Sequence, residues 1–217
     1  MHVDAAYGGG AVLCEQGRLA LNGIELADSV TVDPHKWFFQ PYEIGCILVR
    51  NHEWMSGTFR MTPEYLKDLE SSAEEINFYD YGIQLTRGFR ALKFYMSVKA
   101  FGLASFRIAV QHGLQMAEWA EQRLRQSQHW EIISPANLAV LNFRYNPQDR
   151  DLDEEALNTL NQHISACIIE ENVAMLATTV LRGKKVLRMC LINPRILESE
   201  LEETILQLEA YAQTYLL

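Results

Sequence analysis

The sequence predicts a mixed α/β chain in two parts, the end of an α/β sheet followed by a smaller α+β unit with an antiparallel sheet. Three observations carry this reading. The runs Val30-Thr31-Val32 and Ile44 to Arg50 fit buried strands. Asp4 and Lys36 stand about one strand–crossover–strand unit apart, which suits two strand ends on one rim of a sheet. Beyond Gln128 the order strand, strand, helix, strand, strand, helix is that of an antiparallel α+β unit.

Taken in order, Met1-His2-Val3 reads as the tail of a strand that Asp4 ends, and Ala5 to Gly10 as a small, flexible turn. Such a start is unusual for a domain. Ala11 to Leu21 is short and mixed. Asn51 to Tyr81 has weak periodicity. Within it Thr62 suits the cap of a helical turn at Pro63-Glu64-Tyr65-Leu66, Glu70 to Asn77 reads as a polar loop, and Phe78, Tyr79 and Tyr81 cluster. Arg90 to Phe101 is an amphipathic helix closed by Gly102, and a second helix runs from about Ser105 to about Gln126. Trp130 to Ile133 and Leu138 to Tyr145 are strands. Asp153 to Glu171 is a helix capped by Asp151 or Asp153. Ala174 to Leu181 and Lys185 to Ile192 form a hairpin across Arg182-Gly183-Lys184, and Ser199 to Tyr215 closes the chain as a helix. A domain boundary is expected near Gly102, giving residues 1–102 and 103–217, with the Ser105 helix as bridge.

Composition excludes several classes of function. The 217 residues are 48% hydrophobic and 22% charged, as in ordinary globular proteins, and the net charge of −9 with no basic stretch argues against a nucleic-acid partner. No apolar run is long enough to span a bilayer, and the first residues lack the pattern of a signal peptide, so no membrane partner is expected. Cys14, Cys46, Cys167 and Cys190 lie far apart without a C-x-x-C pair. They read as reduced thiols of a cytoplasmic protein rather than a metal site. His52, His112, His129 and His163 show no ligand spacing.

The chemistry centres on Asp33-Pro34-His35-Lys36-Trp37. A lysine just past a strand end, between a proline and two aromatic rings, suits a buried amine, and desolvation would free its lone pair as a Schiff-base nucleophile. A carboxylate such as Asp4 on the same rim would keep a pyridine nitrogen protonated, and His35 would donate to a phosphate oxygen. Taken singly, a lysine after a strand is an ordinary surface residue, and Asp4 an ordinary turn aspartate.

Together, His2-Val3-Asp4-Ala5-Ala6-Tyr7-Gly8-Gly9 and Asp33-Pro34-His35-Lys36-Trp37 resemble the signature of the group II pyridoxal-phosphate-dependent amino acid decarboxylases. These include the aromatic-L-amino-acid, histidine, tyrosine and glutamate decarboxylases. Gly57-Thr58-Phe59-Arg60, Pro63 to Lys67, Arg87 to Lys93 and Val186 to Asn193 continue the match in register. The resemblance implies the C-terminal part of a fold-type I large domain followed by the small α+β domain. It implies pyridoxal 5'-phosphate as cofactor and an amino acid as substrate, aromatic rather than acidic. Asp4 would pair with the pyridine nitrogen, Ala6 would pack on the ring, Lys36 would form the Schiff base and His35 would touch the phosphate.

Three departures from the family pattern bear on function. Asp33 stands where many members have asparagine, and no phosphate role is assigned to it. Ungapped counting from Arg87 places Phe78 at the family's proton-donating loop tyrosine, with Tyr79 and Tyr81 nearby. A phenylalanine there is associated in the family with oxidative deamination to an aldehyde, while all three aromatics also suit plain packing against a partner subunit. Finally, family chains are about twice as long, their upstream half carrying the phosphate loop, the stacking histidine and the dimer-locking helices. A fragment with little activity alone is therefore expected, completed by a missing N-terminal half or in a homodimer. A non-catalytic remnant is the competing reading.

Overall fold

The computed structural model describes residues 1–61 and 76–217. The turn expected at Pro63 to Leu66 and most of the polar loop from Glu70 lie outside the described residues. The chain forms two compact units, one of Met1–Val12 and Leu21–Ala104, the other of Leu13–Ala20 and Ser105–Leu217.

In the first unit, β1 (His2–Asp4), β2 (Ser29–Val32) and β3 (Cys46–Val49) form a sheet in that order. β1 and β2 are parallel, with Asp4 opposite Thr31, and β3 runs antiparallel to β2. The turn after β1 becomes a 3-10 segment, Gly8–Leu13. Trp37 is nearly inaccessible, and Ala5, Ala11 and Ile44 are buried with it in this unit. The helix α2 (His52–Phe59) was not legible in sequence, because it buries none of its residues and so carries no apolar stripe. The side chain of Asn51 caps it, accepting from the Glu53 N–H at 2.9 Å.

The long helix α3 (Ala91–Leu124) carries the chain from the first unit into the second. It leaves helical geometry at Gly102 (φ 73°, ψ 153°), the residue expected to close the first of two helices. A positive φ of this size is free of Cβ strain only for glycine.

The second unit contains α1 (Glu15–Ala20), a short helix hidden in the mixed stretch after Val12. Its sheet has the order β4-β5-β7-β6, all neighbours antiparallel, from β4 (Trp130–Asn137), β5 (Val140–Tyr145), β6 (Thr178–Leu181) and β7 (Lys184–Cys190). Alternation buries Leu141, Phe143 and Tyr145 of β5. The helix α4 (Glu154–Glu170) presents Leu157, Leu160, Ile164 and Ile168, and α5 (Glu198–Leu216) presents Leu201, Ile205 and Leu208. Asp153 is the cap of α4, its side chain accepting from the Ala156 N–H at 2.8 Å.

Several boundaries differ from expectation: β4 runs on to Asn137, and β6 begins only at Thr178. Leu138 and Ala139 form the β4–β5 turn, both with positive φ (47° and 56°), so β5 starts at Val140. Lys184 already pairs with Leu181, which leaves Arg182-Gly183 as a two-residue turn with φ of 54° and 79°. Pro135 is tolerated in β4 because this edge strand is irregular between Ser134 and Asn137.

One ion network ties this sheet to α4. The buried Arg144 donates to Glu131 at 2.6 Å and to Glu154, while Lys184 donates to Glu131 at 2.7 Å. Burial alone would push the Glu131 carboxyl up, but hydrogen bonds from Lys184 and Arg144 outweigh it and hold the group below the usual glutamate range. A lowered folded-state value means that this contribution is complete above the unfolded-state value and is lost as pH falls through the lowered one. Glu131→Gln is therefore expected to cost about 2 kcal/mol at neutral pH. Urea denaturation at pH 7 and at about pH 3 checks this. The gap between variant and parent should shrink at the acid end, and a gap independent of pH contradicts the assignment.

Candidate active site

The site is built where the parallel pair β1 and β2 ends. The ladder runs on past Asp4: Ala5 N–H donates to the Thr31 carbonyl at 3.0 Å, and Asp33 N–H donates to the Ala6 carbonyl at 3.1 Å. Two segments distant in sequence thus leave the sheet side by side on one rim. Asp4 is exposed there, one carboxylate oxygen accepting from the Ala6 N–H at 3.0 Å. The second segment turns at once, because Lys36 N–H donates to the Asp33 carbonyl at 2.9 Å.

That turn is wedged against the first. Trp37 packs its ring against Tyr7, with centroids 5.3 Å apart. A Cβ on Gly10 would lie 2.7 Å from Trp37 Cβ, so only glycine lets the backbone come this close. The segment from Gln40 to Ile44 is held from α3. Lys93 Nζ donates to the carbonyls of Pro41 and Glu43 at 2.6 and 2.9 Å, and Arg90 Nε donates to the Glu43 carboxylate at 2.9 Å. The hydrogen bond and charge of Arg90 keep the Glu43 carboxyl below the usual range. Tyr42 stacks on His35 at 4.6 Å.

His35 and Lys36 differ from their expected environments. Lys36 is not a fully desolvated amine: its side chain is 35% exposed, and Nζ pairs with Asp33 Oδ2 at 3.0 Å. A carboxylate three residues earlier across a tight turn brings its own counter-ion. His35 Nδ1 lies 2.6 Å from the Ile44 carbonyl, which only accepts, so this nitrogen carries a proton. His35 Nε2 is left facing Asp33 Oδ2 at 3.7 Å.

Phe78 and Tyr79 lie in a 3-10 turn, Phe78–Tyr81. They line a cavity of about 690 Å³ with Pro34, Ile44, Gly45 and Cys46 among its walls. Asp4, Ala6, His35 and Lys36 are not wall residues of that cavity. The structure therefore brings Asp4 and Ala6 together with Asp33, His35 and Lys36. It places the loop aromatics in the wall of that cavity instead, with Pro34 elsewhere in the same wall. Sequence reasoning missed the Asp33–Lys36 pair, the Tyr42 stack and the Gly10–Trp37 contact. The i, i+3 spacing of Asp33 and Lys36 was the one readable signal among them.

Residues 1–146 match the pyridoxal-dependent decarboxylase conserved domain. The chain belongs to this family. It is 45% identical over 214 residues to an aromatic-L-amino-acid decarboxylase of Bacillus atrophaeus, a match covering 98% of this chain and 44% of that one. It is 30% identical to a phenylacetaldehyde synthase of a Rosa hybrid cultivar, across 92% of this chain and 40% of the relative. Its fold superposes on the crystal structure of Oryza sativa TDC with PLP and tryptamine with a TM-score of 0.90 and 27% identity, over 99% of this chain and 44% of that one. The chain thus spans less than half the length of these relatives. The superposition covers both the mixed α/β part and the antiparallel sheet, in keeping with the fold class expected from sequence.

The residues present suit the family's cofactor by their chemistry. One rim offers a carboxylate for a ring nitrogen, an amine for an aldehyde carbon and an imidazole for a phosphate. The Gly10 contact is what sets the turn that carries two of them. Gly10→Ala is expected to lower the unfolding free energy by about 1–3 kcal/mol through forced displacement of Trp37. Gly57→Ala, in α2 with open space around it, serves as the control and should be neutral or slightly stabilising. Urea denaturation followed by tryptophan fluorescence compares them, and equal midpoints for the two variants contradict the wedge.

Proposed function

We propose that this chain carries the lysine-bearing part of a pyridoxal 5'-phosphate-dependent decarboxylase acting on an aromatic L-amino acid. The juxtaposition of Asp4 and Ala6 with His35 and Lys36 on one rim is the observation that carries this reading. The cofactor, when bound, supplies an electron sink for the pair left behind when the carboxylate departs as carbon dioxide. Lys36 Nζ would be the attachment point for its aldehyde carbon. Asp4 would hold a proton on the ring nitrogen, and Ala6 would offer a small surface for the ring face. His35, with Nδ1 committed to the Ile44 carbonyl, donates to a phosphate only from Nε2 and only when doubly protonated. Its stack with Tyr42 and its approach to Asp33 both fix the ring plane.

The aromatic preference is supported by relatives named aromatic-L-amino-acid decarboxylase, tryptophan decarboxylase and tyrosine decarboxylase. A homodimer as the working state is supported by Tyr95, Met96 and Phe101, which stand more than half exposed on α3. Four free cysteines fit a cytoplasmic setting. Among the described residues no helix is long and apolar enough to cross a membrane.

A second outcome follows from Phe78, which has no proton to give, and from relatives named phenylacetaldehyde synthase. In that outcome dioxygen and water are consumed, and the amino acid yields an aldehyde, ammonia, hydrogen peroxide and carbon dioxide. Tyr79, in the same turn, is the phenol available for protonation in the simple decarboxylation.

The two outcomes and the non-catalytic reading separate in one experiment. The protein is incubated with pyridoxal phosphate and carboxyl-labelled L-tryptophan, L-tyrosine or L-phenylalanine. Released carbon dioxide, amine, aldehyde and peroxide are measured. The proposal expects a low rate of carbon dioxide release, in keeping with a chain that spans under half the length of its relatives, that falls to background in Lys36→Ala. Amine as co-product supports the decarboxylase, aldehyde with peroxide supports the second outcome, and no carbon dioxide above the Lys36→Ala level overturns both.

A further inference from the structure

We infer that Lys93 is a positioning residue for His35. From α3 it fixes which nitrogen of that ring carries the proton, and so which one is left to face the rim. The use of His35 toward a phosphate rests on the functional reading above, whereas the geometry does not depend on it.

The run Arg87 to Lys93 matches the family pattern in register, yet it supplies none of the groups on the rim. Its last residue reaches the site indirectly. Lys93 stands half-buried in the first turn of α3, and Nζ donates to the carbonyls of Pro41 and Glu43 at 2.6 and 2.9 Å. These two carbonyls flank Tyr42. The stretch from Gln40 to Gly45 belongs to no helix or strand, so no regular ladder fixes it and its carbonyls depend on other donors. Both partners of the His35 ring sit on this stretch. Tyr42 stacks on the ring at 4.6 Å, and the carbonyl of the buried Ile44, one peptide beyond Glu43, takes the Nδ1 proton at 2.6 Å.

Neighbours on α3 reinforce the grip. Arg90, just ahead of the helix, donates to the Glu43 carboxylate at 2.9 Å. Phe94 packs on Phe38 with centroids 5.0 Å apart, and the Ser97 hydroxyl lies 3.1 Å from the side-chain oxygen of Gln40. Residues 90, 93, 94 and 97 have the spacing of one helical face. Lys93 is the member that holds the main chain on both sides of Tyr42.

The consequence falls on the tautomer of His35. A neutral imidazole carries one proton, and the hydrogen bond made by one ring nitrogen decides where it sits. A carbonyl only accepts, so the Ile44 contact puts the proton on Nδ1 and leaves Nε2 toward the rim. Asp33 Oδ2 stands 3.7 Å from Nε2, too far for a hydrogen bond to compete. An ammonium has three donors and can serve two carbonyls at once, while a methionine of similar reach serves neither. With Lys93 replaced, the Ile44 carbonyl is no longer held opposite Nδ1, and the ring loses its reason to prefer that tautomer.

The test reads His35 directly, in protein free of cofactor. Long-range proton–nitrogen correlation spectra at about pH 9, above the ordinary histidine range, give the tautomer of each histidine. His35→Gln identifies the signals. The parent is expected to hold His35 mainly in the Nδ1–H form. Lys93→Met should lower the share of that form at least roughly two-fold. Lys99→Met, which removes an exposed charge from the same helix, should leave it unchanged. A parent with His35 mainly in the Nε2–H form overturns the inference without any variant. An unchanged tautomer in Lys93→Met, or an equal fall in both variants, overturns it as well. Circular dichroism checks that each variant is folded, and Lys93→Gln, too short to reach both carbonyls, is read by the same criteria if Lys93→Met is not. Titration with pyridoxal phosphate, followed by absorbance, separates the functional reading. Lys93→Met should raise the half-saturating concentration roughly 3- to 10-fold, the worth of one hydrogen bond. If the tautomer changes as expected and this concentration does not, His35 has no phosphate role while the positioning role of Lys93 stands.

Discussion

The parallel pairing of β1 with β2 is the constraint on which the rest of the site depends. In a parallel pair both strands end on the same side, so residues that follow each strand are delivered to one rim. Here the ladder extends one bond further, from Asp33 N–H to the Ala6 carbonyl, and that bond joins the two candidate segments directly. An antiparallel arrangement of the same strands would send Asp4 and Lys36 to opposite edges.

Once the two segments share a rim, local chemistry does the remaining work. Gly10 admits Trp37, and Trp37 anchors the turn that carries His35 and Lys36. Lys93 and Arg90 clamp the following segment, whose Ile44 carbonyl and Tyr42 ring then fix His35. The polar groups of the rim are therefore held by backbone bonds and packing rather than by one another. The exception is the Asp33–Lys36 pair, where two side chains restrain each other. Such pre-positioning lowers the cost of bringing reacting atoms together.

The second unit was almost fully legible in sequence, and the first was legible mainly in its motifs. Leu157, Leu160, Ile164 and Ile168 repeat at helical spacing because α4 packs one face on a sheet, and Leu141, Phe143 and Tyr145 alternate because β5 does the same. Periodicity is the imprint of one-sided burial. α2 buries no residue and left no imprint, while the Leu138-Ala139 turn was hidden because two apolar residues occupy positions with positive φ that favour glycine or asparagine. In the site, Lys36, His35, Asp4 and Ala6 were readable from strand ends and motif. The amine's environment was not: expected to be desolvated, its side chain is 35% exposed and paired. Contact across a tight turn depends on side-chain direction, which spacing alone leaves open. Phe78 and Tyr79 were placed by counting along a loop, and their position in the wall of the cavity comes from the fold of the turn rather than from any repeat.

The central claim is that this rim presents Lys36 as the covalent anchor for pyridoxal phosphate. The most direct measurement is to mix the protein with pyridoxal phosphate, reduce with borohydride and map the modified lysine by peptide mass spectrometry. The account predicts one saturable adduct, on the peptide carrying Lys36, that is absent in Lys36→Ala. Modification spread over surface lysines such as Lys99 and Lys185 at similar rates, with Lys36 not favoured, would contradict it.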